Sequence, residues 1–578
     1  MATTPPEWKR NVRYSVRQLE KWAEAGHRKP LENLIRAWKG IAELPVDDPN
    51  SYWVIAGYHG SPLPPFDADN PDIAPPFLWW GGYCHHANVL FPLWHRAYVQ
   101  HLEDALRIQV PDVSLAYWDQ TSEESRTHGL PRTLTDDTVE LDEEEIPNPF
   151  LNYEFPVDIE STTRFKNPKQ PTADFSKRAG TVTQRYPMSG FYASKIEEVA
   201  ADGRAHNEAM IARFPTHDDR VRALNANVLF GLTGAVPEAD ALYDPTLAGG
   251  GETFSRLSCC LDAPTYNYFS NHSSAGKWYT SVEQPHDEMH LALGGQDQRR
   301  SLIKKKRDVC HRPSRGSDKE ILPLTGSNGD MGENETAAFD PIFFFHHVNI
   351  DRLFWVWQKK WGKTAEGTLD IDPTDTAGTY GQAPGGQGGT RTISGTTKLT
   401  MDTPLHPFKS PSGGYYTSRD LVDIRKQLGV DYSSGSLDQE EWPEEVETRR
   451  RPEVLFSVLN INKAAFMGSF TVTLFHQDDE EVLTPLESVS VLSRWNLKRC
   501  KNCQIYVNRD VHLDLTPLKK RLAGSDVARL TYVVQFVDRT ATKESPVAAS
   551  GIYEDGEWTV LTGSQKIGKV HIELEASG

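Results

Sequence analysis

Residues 341–361, PIFFFHHVNIDRLFWVWQKKW, decide the fold of the larger part of the chain. Apolar side chains fall on nearly every side of a 3.6-residue period, the pattern of a helix buried in the middle of a bundle. Such a helix needs others around it. Residues 15–40, SVRQLEKWAEAGHRKPLENLIRAWKG, set Leu19, Trp22, Leu34, Ile35 and Trp38 at helical spacing and are predicted to form one amphipathic helix. Residues 94–110, WHRAYVQHLEDALRIQV, repeat the pattern with Trp94, Tyr98, Leu102, Ala105 and Leu106 on one stripe. The Pro- and Gly-rich stretches 61–76 and 373–392 favour long loops.

Downstream the pattern changes. Residues 433–452, SSGSLDQEEWPEEVETRRRP, combine small polar residues, an acidic run and a basic triplet before proline, and read as a linker. Alternation then takes over in VLFSVLNI (454–461), SFTVTLFHQ (469–477), RLTYVVQFVD (529–538) and KVHIELEA (569–576), which predicts strands. The expected division is a mainly helical domain over 1–432, a linker over 433–452 and an all-β sandwich or barrel over 453–578.

The 578 residues are 38% hydrophobic, with 15 Trp, 20 Tyr and 23 Phe, too apolar for a disordered chain. A net charge of −18 argues against the basic face that a nucleic-acid or anionic-membrane binder needs. No apolar run is long enough for a membrane helix, nor for a signal peptide in MATTPPEWKRNVRYSVRQLEKW, so a cytoplasmic location is expected. Six cysteines (84, 259, 260, 310, 500 and 503) cannot frame a chain of this size with disulfides.

The 19 histidines cluster. His286 and His290, in PHDEMH, are one helical turn apart, so both imidazoles point from one face and can grip one metal. The zinc-protease pattern HExxH is not met, because Asp287 stands where the hydrolytic Glu would be. His346 and His347 lie on the buried helix, and either completes a three-histidine set. A second set is available upstream from His59, His85, His86 and His95. A single histidine on an apolar helix is as often a satisfied core residue, but two sets in aromatic helices are hard to ascribe to packing. Imidazole ligands without carboxylates or paired thiolates suit copper.

The strings CHHANVLFPLWHRAYV, PHDEMH and AAFDPIFFFHHVNIDRLFWVWQ resemble the two copper-binding regions of the type 3 copper family, specifically tyrosinases and polyphenol oxidases of fungal kind. The resemblance implies two copper ions in a four-helix bundle with long loops, one held by His59, His86 and His95 and the other by His286, His290 and His347. It implies a thioether from Cys84 to His86, and a dry wall of Phe91 and Phe343, which are equally plausible as plain core. Asp351 and Arg352 are expected in buried ion pairs, one with an N-terminal arginine such as Arg13. Glu283 resembles the glutamate that holds a water near the second copper and, with Asp287, would take the proton of a monophenol.

Two departures from the family pattern stand out. Many monophenol hydroxylases have Asn where this chain has Asp287, which keeps a catechol or o-aminophenol oxidase open as an alternative. The stretch 299–320, RRSLIKKKRDVCHRPSRGSDKE, is basic where relatives have a shorter loop, and reads as a dispensable solvated insertion. Fungal relatives are made latent, with a C-terminal β-domain over the copper site, and 453–578 fits that role. Cys500 and Cys503 form a CxxC that the family links to copper(I) acquisition, with a simple disulfide as the other reading. Arg449–Arg451 offer a basic processing site or are ordinary linker charge. The function expected is a latent tyrosinase acting on small phenols and O2, with a copper chaperone, an activating protease and self-association as partners. An oxygen carrier of haemocyanin type is the rival from another class.

Overall fold

The computed structural model describes residues 4, 5, 7–60, 82–159, 175–233, 253–295, 328–375, 377–381, 397–438, 453–466, 468–478, 483–494, 501–516, 519, 529–538, 547–567 and 569–576. Ser15 opens the first helix, α1 (Val16–Glu24), its hydroxyl accepting the Gln18 amide at 3.1 Å as an N-cap. The single helix predicted over 15–40 is two. Gly26 at φ +89 turns the chain out of α1, and α2 (Lys29–Ala42) restarts with Pro30 in its first turn. Periodicity missed the break because both halves carry an apolar stripe; the glycine and the proline were the signals to weigh.

Next come α3 (Phe91–Gln109), α4 (His217–Thr233), α5 (Glu283–Gly294) and α6 (Ile342–Lys360). α3 packs on α2 and α6, and α5 packs on α4. From Ile342 to Gln358 every residue of α6 is buried, as its all-round apolar pattern requires. Much of the charge in this interior is paired. Arg13 Nη2 lies 2.6 Å from Glu103 and Nη1 3.2 Å from Asp351, while Arg96 Nε lies 2.6 Å from Asp351, all at most 1% exposed. Tyr432 donates its hydroxyl to Asp351 at 2.5 Å. The strand Val12–Ser15 pairs in parallel with Ala116–Tyr117 and Asp431–Tyr432, so the start and the end of the helical region meet. The chain then runs on against this body through Asp438, which lies 2.6 Å from Arg352.

Among the described residues eight strands follow: β1 (Val454–Asn462), β2 (Phe470–Gln477), β3 (Leu483–Val491), β4 (Asn508–Asp514), β5 (Thr531–Asp538), β6 (Ala549–Glu554), β7 (Glu557–Thr562) and β8 (His571–Ala576). They form two antiparallel sheets, ordered β4-β1-β8 and β3-β2-β5-β6-β7. One core takes Phe456, Val458, Val511 and Leu513 from the first sheet and Phe470, Val472, Tyr532 and Phe536 from the second, which makes a β-sandwich. Its edge strand β3 packs on α5. Arg256, on the helix Thr253–Cys259, joins the two bodies there, pairing with Glu288 of α5 and Glu487 of β3. Ser469 Oγ also donates to Gly332 O at 3.1 Å, and Tyr506 to Tyr380 O at 2.5 Å. Among the described residues no helix is long and apolar enough to cross a membrane.

Candidate metal centre

α5 presents His286 and His290 on one face, and α6 brings His347 opposite them. Their Nε2 atoms converge: 3.0 Å for His286–His290, 3.2 Å for His286–His347 and 3.4 Å for His290–His347. One shared ion, bound at the roughly 2 Å usual for metal–imidazole bonds, separates its nitrogens by about this much. The outer nitrogens of His290 and His286 are engaged elsewhere. His290 Nδ1 lies 2.8 Å from Met331 O and His286 Nδ1 3.0 Å from Asp287 Oδ1, which turns Nε2 inward. His346 is also buried here, but its Nδ1 faces Gln120 Nε2 at 2.7 Å.

The first set is drawn from three places: His59 beyond the short helix Tyr52–Gly57, His86 in the loop before α3, and His95 on α3. Ring centroids are 5.3 Å apart for His59–His86, 5.3 Å for His86–His95 and 5.7 Å for His59–His95. The Nε2 atoms of His59 and His95 are buried without a hydrogen bond, orphaned polar atoms that a metal would satisfy. His95 Nδ1 lies 2.7 Å from Phe91 O. The sets abut, His95 stacking on His347 at 4.6 Å. Phe343 stacks on His347 at 4.0 Å, and Phe91 lies 4.6 Å from His95 and 4.9 Å from His286, both rings fully buried.

Burial holds these imidazoles neutral, lowering His95 to about 3 and His290 to about 4, so each offers a lone pair. Donor atoms of His59, Cys84 and His86 lie within 4.8 Å of one another. Cys84 is a free, buried thiol, pushed up to about 12 by burial.

Glu283 sits on α5 one turn before His286. Its Oε1 accepts the Ala87 amide at 2.7 Å and its Oε2 the His272 amide at 3.2 Å. Burial raises this carboxyl, but His272 and the amides outweigh it and hold Glu283 below the usual carboxylate range. Asp287 goes the other way, pushed well up by burial and by Glu283. A cavity of about 30 Å³ opens beside them, with His86, His272, Glu283 and Asp287 on one side and Lys463, Arg494 and Tyr506 of the sandwich on the other. Arg494 reaches Gly60 O at 3.4 Å.

Cys503 lines the same cavity from the short helix Lys501–Ile505 and is disulfide-bonded; Cys500, the insertion 299–320, the loop 61–76 and Arg449–Arg451 lie outside the described residues. Sequence reasoning missed His272 and the cations Lys463, Arg494 and Arg509. His272 opens an Asn-capped turn and shares no spacing with the other histidines, and the cations come from the β region, where no pattern links them to the helices.

Residues 49–360 match the family model "Common central domain of tyrosinase". The chain is 40% identical to a tyrosinase of a Hahella species over 89% of its own length and 90% of that protein's. It is 33% identical to a tyrosinase of Aspergillus oryzae, covering 86% of this chain and 89% of that one. A solved tyrosinase from Burkholderia thailandensis, at low pH, superposes with a TM-score of 0.72 and 35% identity over 98% of this chain and all of that one.

Proposed function

The chain belongs to the tyrosinase family and is a copper oxidoreductase with a dinuclear site; from that premise we propose that it hydroxylates monophenols at the ortho position and oxidises o-diphenols to o-quinones. The copper pair supplies dioxygen binding and the oxidising electron demand. The protein's own residues position everything else. His59, His86 and His95 would hold one ion, and His286, His290 and His347 the other. Phe91 and Phe343 keep water from their rings. Glu283, with Asp287 beside it, takes the phenolic proton.

One observation carries this reading: the Glu283 carboxylate is fully buried at the cavity, held between the loop of His86 and His272. A narrower reading, a catechol or o-aminophenol oxidase, draws on Asp287, an acid 3.0 Å from His286 Nδ1 where hydroxylases of the family carry an amide.

We further propose that residues 453–578 form a shield over the catalytic domain, residues 1–432, released by cleavage in the linker 433–452. In support, the segment 492–494 lines the cavity beside His86. A Cys84–His86 thioether is proposed from the proximity of Cys84 to His59 and His86, and copper delivery through Cys500 and Cys503 from the family resemblance, in a reduced state, since Cys503 is disulfide-bonded in this structure. The test is turnover by copper-loaded full chain, before and after acid treatment or limited proteolysis, with L-tyrosine, L-DOPA and o-aminophenol offered separately. Turnover of all phenols only after treatment supports the proposal. Turnover of diphenols alone supports the narrower oxidase, full activity before treatment removes the shield, and oxygen binding without turnover indicates a carrier.

A further inference from the structure

Glu283 is caught from three directions. Ala87, directly after the copper ligand His86, takes φ +60, an uncommon conformation for alanine, with its amide on Glu283 Oε1 at 2.7 Å. His272 approaches the other oxygen twice, its backbone amide at 3.2 Å and its ring Nδ1 at 2.9 Å from Oε2. The ring N–H lies off the direct line to the oxygen, so this last contact is close but bent.

His272 is itself fixed. Asn271, fully buried, accepts the amides of Ser273 and Ser274 at 3.0 Å each and donates to Ser274 Oγ at 2.9 Å. That cap sets the backbone from which His272 points at Glu283. The His272 ring lines the cavity with Glu283, Asp287 and His86. Burial, with Arg509 second, lowers it to about 4, so it faces Glu283 as a neutral imidazole that donates from one nitrogen.

We propose that His272 is a positioning residue for Glu283: its backbone amide holds one carboxylate oxygen and its ring lies against that oxygen in a close, bent contact, while Ala87 holds the other, so that the remaining lone pair faces the cavity and the phenolic proton. A carboxylate offers about four acceptor sites, and the three contacts from His272 and Ala87 leave one direction open. Without the ring, Glu283 keeps its backbone anchors but gains freedom to rotate about its terminal bond. The step affected is deprotonation of a monophenol; oxidation of a diphenol asks less of this group. The inference rests on the reading of Glu283 as proton acceptor given above.

The test compares His272→Leu, which keeps bulk and removes the donor, with His272→Asn, whose amide nitrogen stands near the position of Nδ1. Both are prepared as full chain, copper-loaded and acid- or protease-activated, with Glu283→Gln as reference and copper content measured. Acid–base catalysis is worth about 10²–10⁴-fold, so misdirecting the base should lower kcat for L-tyrosine about 10-fold or more in His272→Leu while kcat for L-DOPA stays within about 2-fold. His272→Asn should recover most of the loss. A second readout needs no copper: amide exchange at Ala87 in the metal-free chain should quicken in His272→Leu and not in His272→Asn.

An unchanged tyrosine-to-DOPA ratio in His272→Leu, with a collapsed ratio in Glu283→Gln, overturns the role of His272 alone. Unchanged ratios in both overturn the reading of Glu283 as well. Equal loss of both activities, not rescued by asparagine, reduces His272 to a structural residue and also overturns the proposal.

Discussion

Replacing Asp330 should loosen copper without touching any copper ligand. Asp330 opens the tight turn Asp330–Gly332, whose Met331 carbonyl faces His290 Nδ1 at 2.8 Å. The turn lies directly on α5: a side chain at Gly294 would put its Cβ 1.9 Å from Gly332 N. Asp330 anchors the turn through Lys177 Nζ at 2.7 Å, Thr336 Oγ1 at 2.9 Å and the Gln184 amide at 2.8 Å. The Lys177 and Asp330 side chains are 2% and 0% exposed. Removing one partner of a buried ion pair costs about 3–5 kcal/mol, and the low end applies here if the Gly190 carbonyl continues to hold Lys177. Losing an outer partner of a metal-bound histidine weakens metal about 10–100-fold. That is about 1.4–2.7 kcal/mol. In Asp330→Ala, a competition titration with a copper chelator should therefore show weaker binding at one of the two sites, together with a lower Tm. Asp330→Asn, which keeps the shape and part of the hydrogen bonding, should fall between. A drop in Tm with copper affinity within about 2-fold of the parent would refute the link from turn to His290.

Three further outcomes are expected. Asp287→Asn restores the amide common to monophenol hydroxylases and should raise the ratio of L-tyrosine to L-DOPA turnover; a ratio that stays put or falls removes Asp287 from that balance. Glu487 is raised to about 7 by burial despite Arg256, so the folded chain binds its proton more readily than the unfolded chain. Its contribution to stability therefore grows as pH falls from about 7 towards its ordinary range, and Glu487→Gln should flatten the dependence of Tm on pH between about 5 and 7; an unaltered slope would show that another group sets it. If Cys84 and His86 become linked, copper-loaded chain exposed to air and then treated with a thiol reductant to open its disulfide should still be lighter than its sequence mass by two hydrogens, and Cys84→Ser treated alike should show no such deficit.

The helical region was legible where one rule governed a long stretch. α6 is apolar all round and buried all round, whereas α3, which shows a single apolar stripe in sequence, is buried on every side from Phe91 to Gln100 and narrows to that stripe only beyond. α1 and α2 were merged because the period survives a break that only Gly26 and Pro30 mark. In the sandwich, β1, β2, β5 and β8 were found from their alternating apolar residues. The others were not, although Asp555 and Gly556, at φ 50 and φ 83, form the kind of Asp-Gly turn that joins a hairpin such as β6–β7. His286 and His290 stood out by their helical spacing, and the full set of six candidate ligands followed from the resemblance to the copper-binding regions of the family. His272 and the cations were not, because their meaning comes from long-range packing: Arg509 acts on Glu283 from more than two hundred positions away in the chain.

Those cations explain how a cavity beside the metal centre can hold two acids out of water. The chain as a whole is acidic, at −18, yet Lys463, Arg494 and Arg509 of the sandwich are 7%, 3% and 6% exposed where they approach the helical domain. Burial lowers Lys463 to about 8 even though Glu283 and Asp287 favour its charged form. Burying a cation on that scale is tolerated only opposite an anion, and burying the Glu283 carboxylate only opposite a cation, whereas Asp287 is pushed towards its neutral form. The sandwich and the acids of α5 thus compensate each other. Copper is a second source of positive charge in the same space, so the two are coupled: what copper supplies to Glu283 and Asp287, the sandwich no longer needs to. By linkage, whatever copper does to the docking of the sandwich, docking does equally to the affinity for copper. A sandwich docked by shape alone would be indifferent to the metal; one docked by charges facing Glu283 is not.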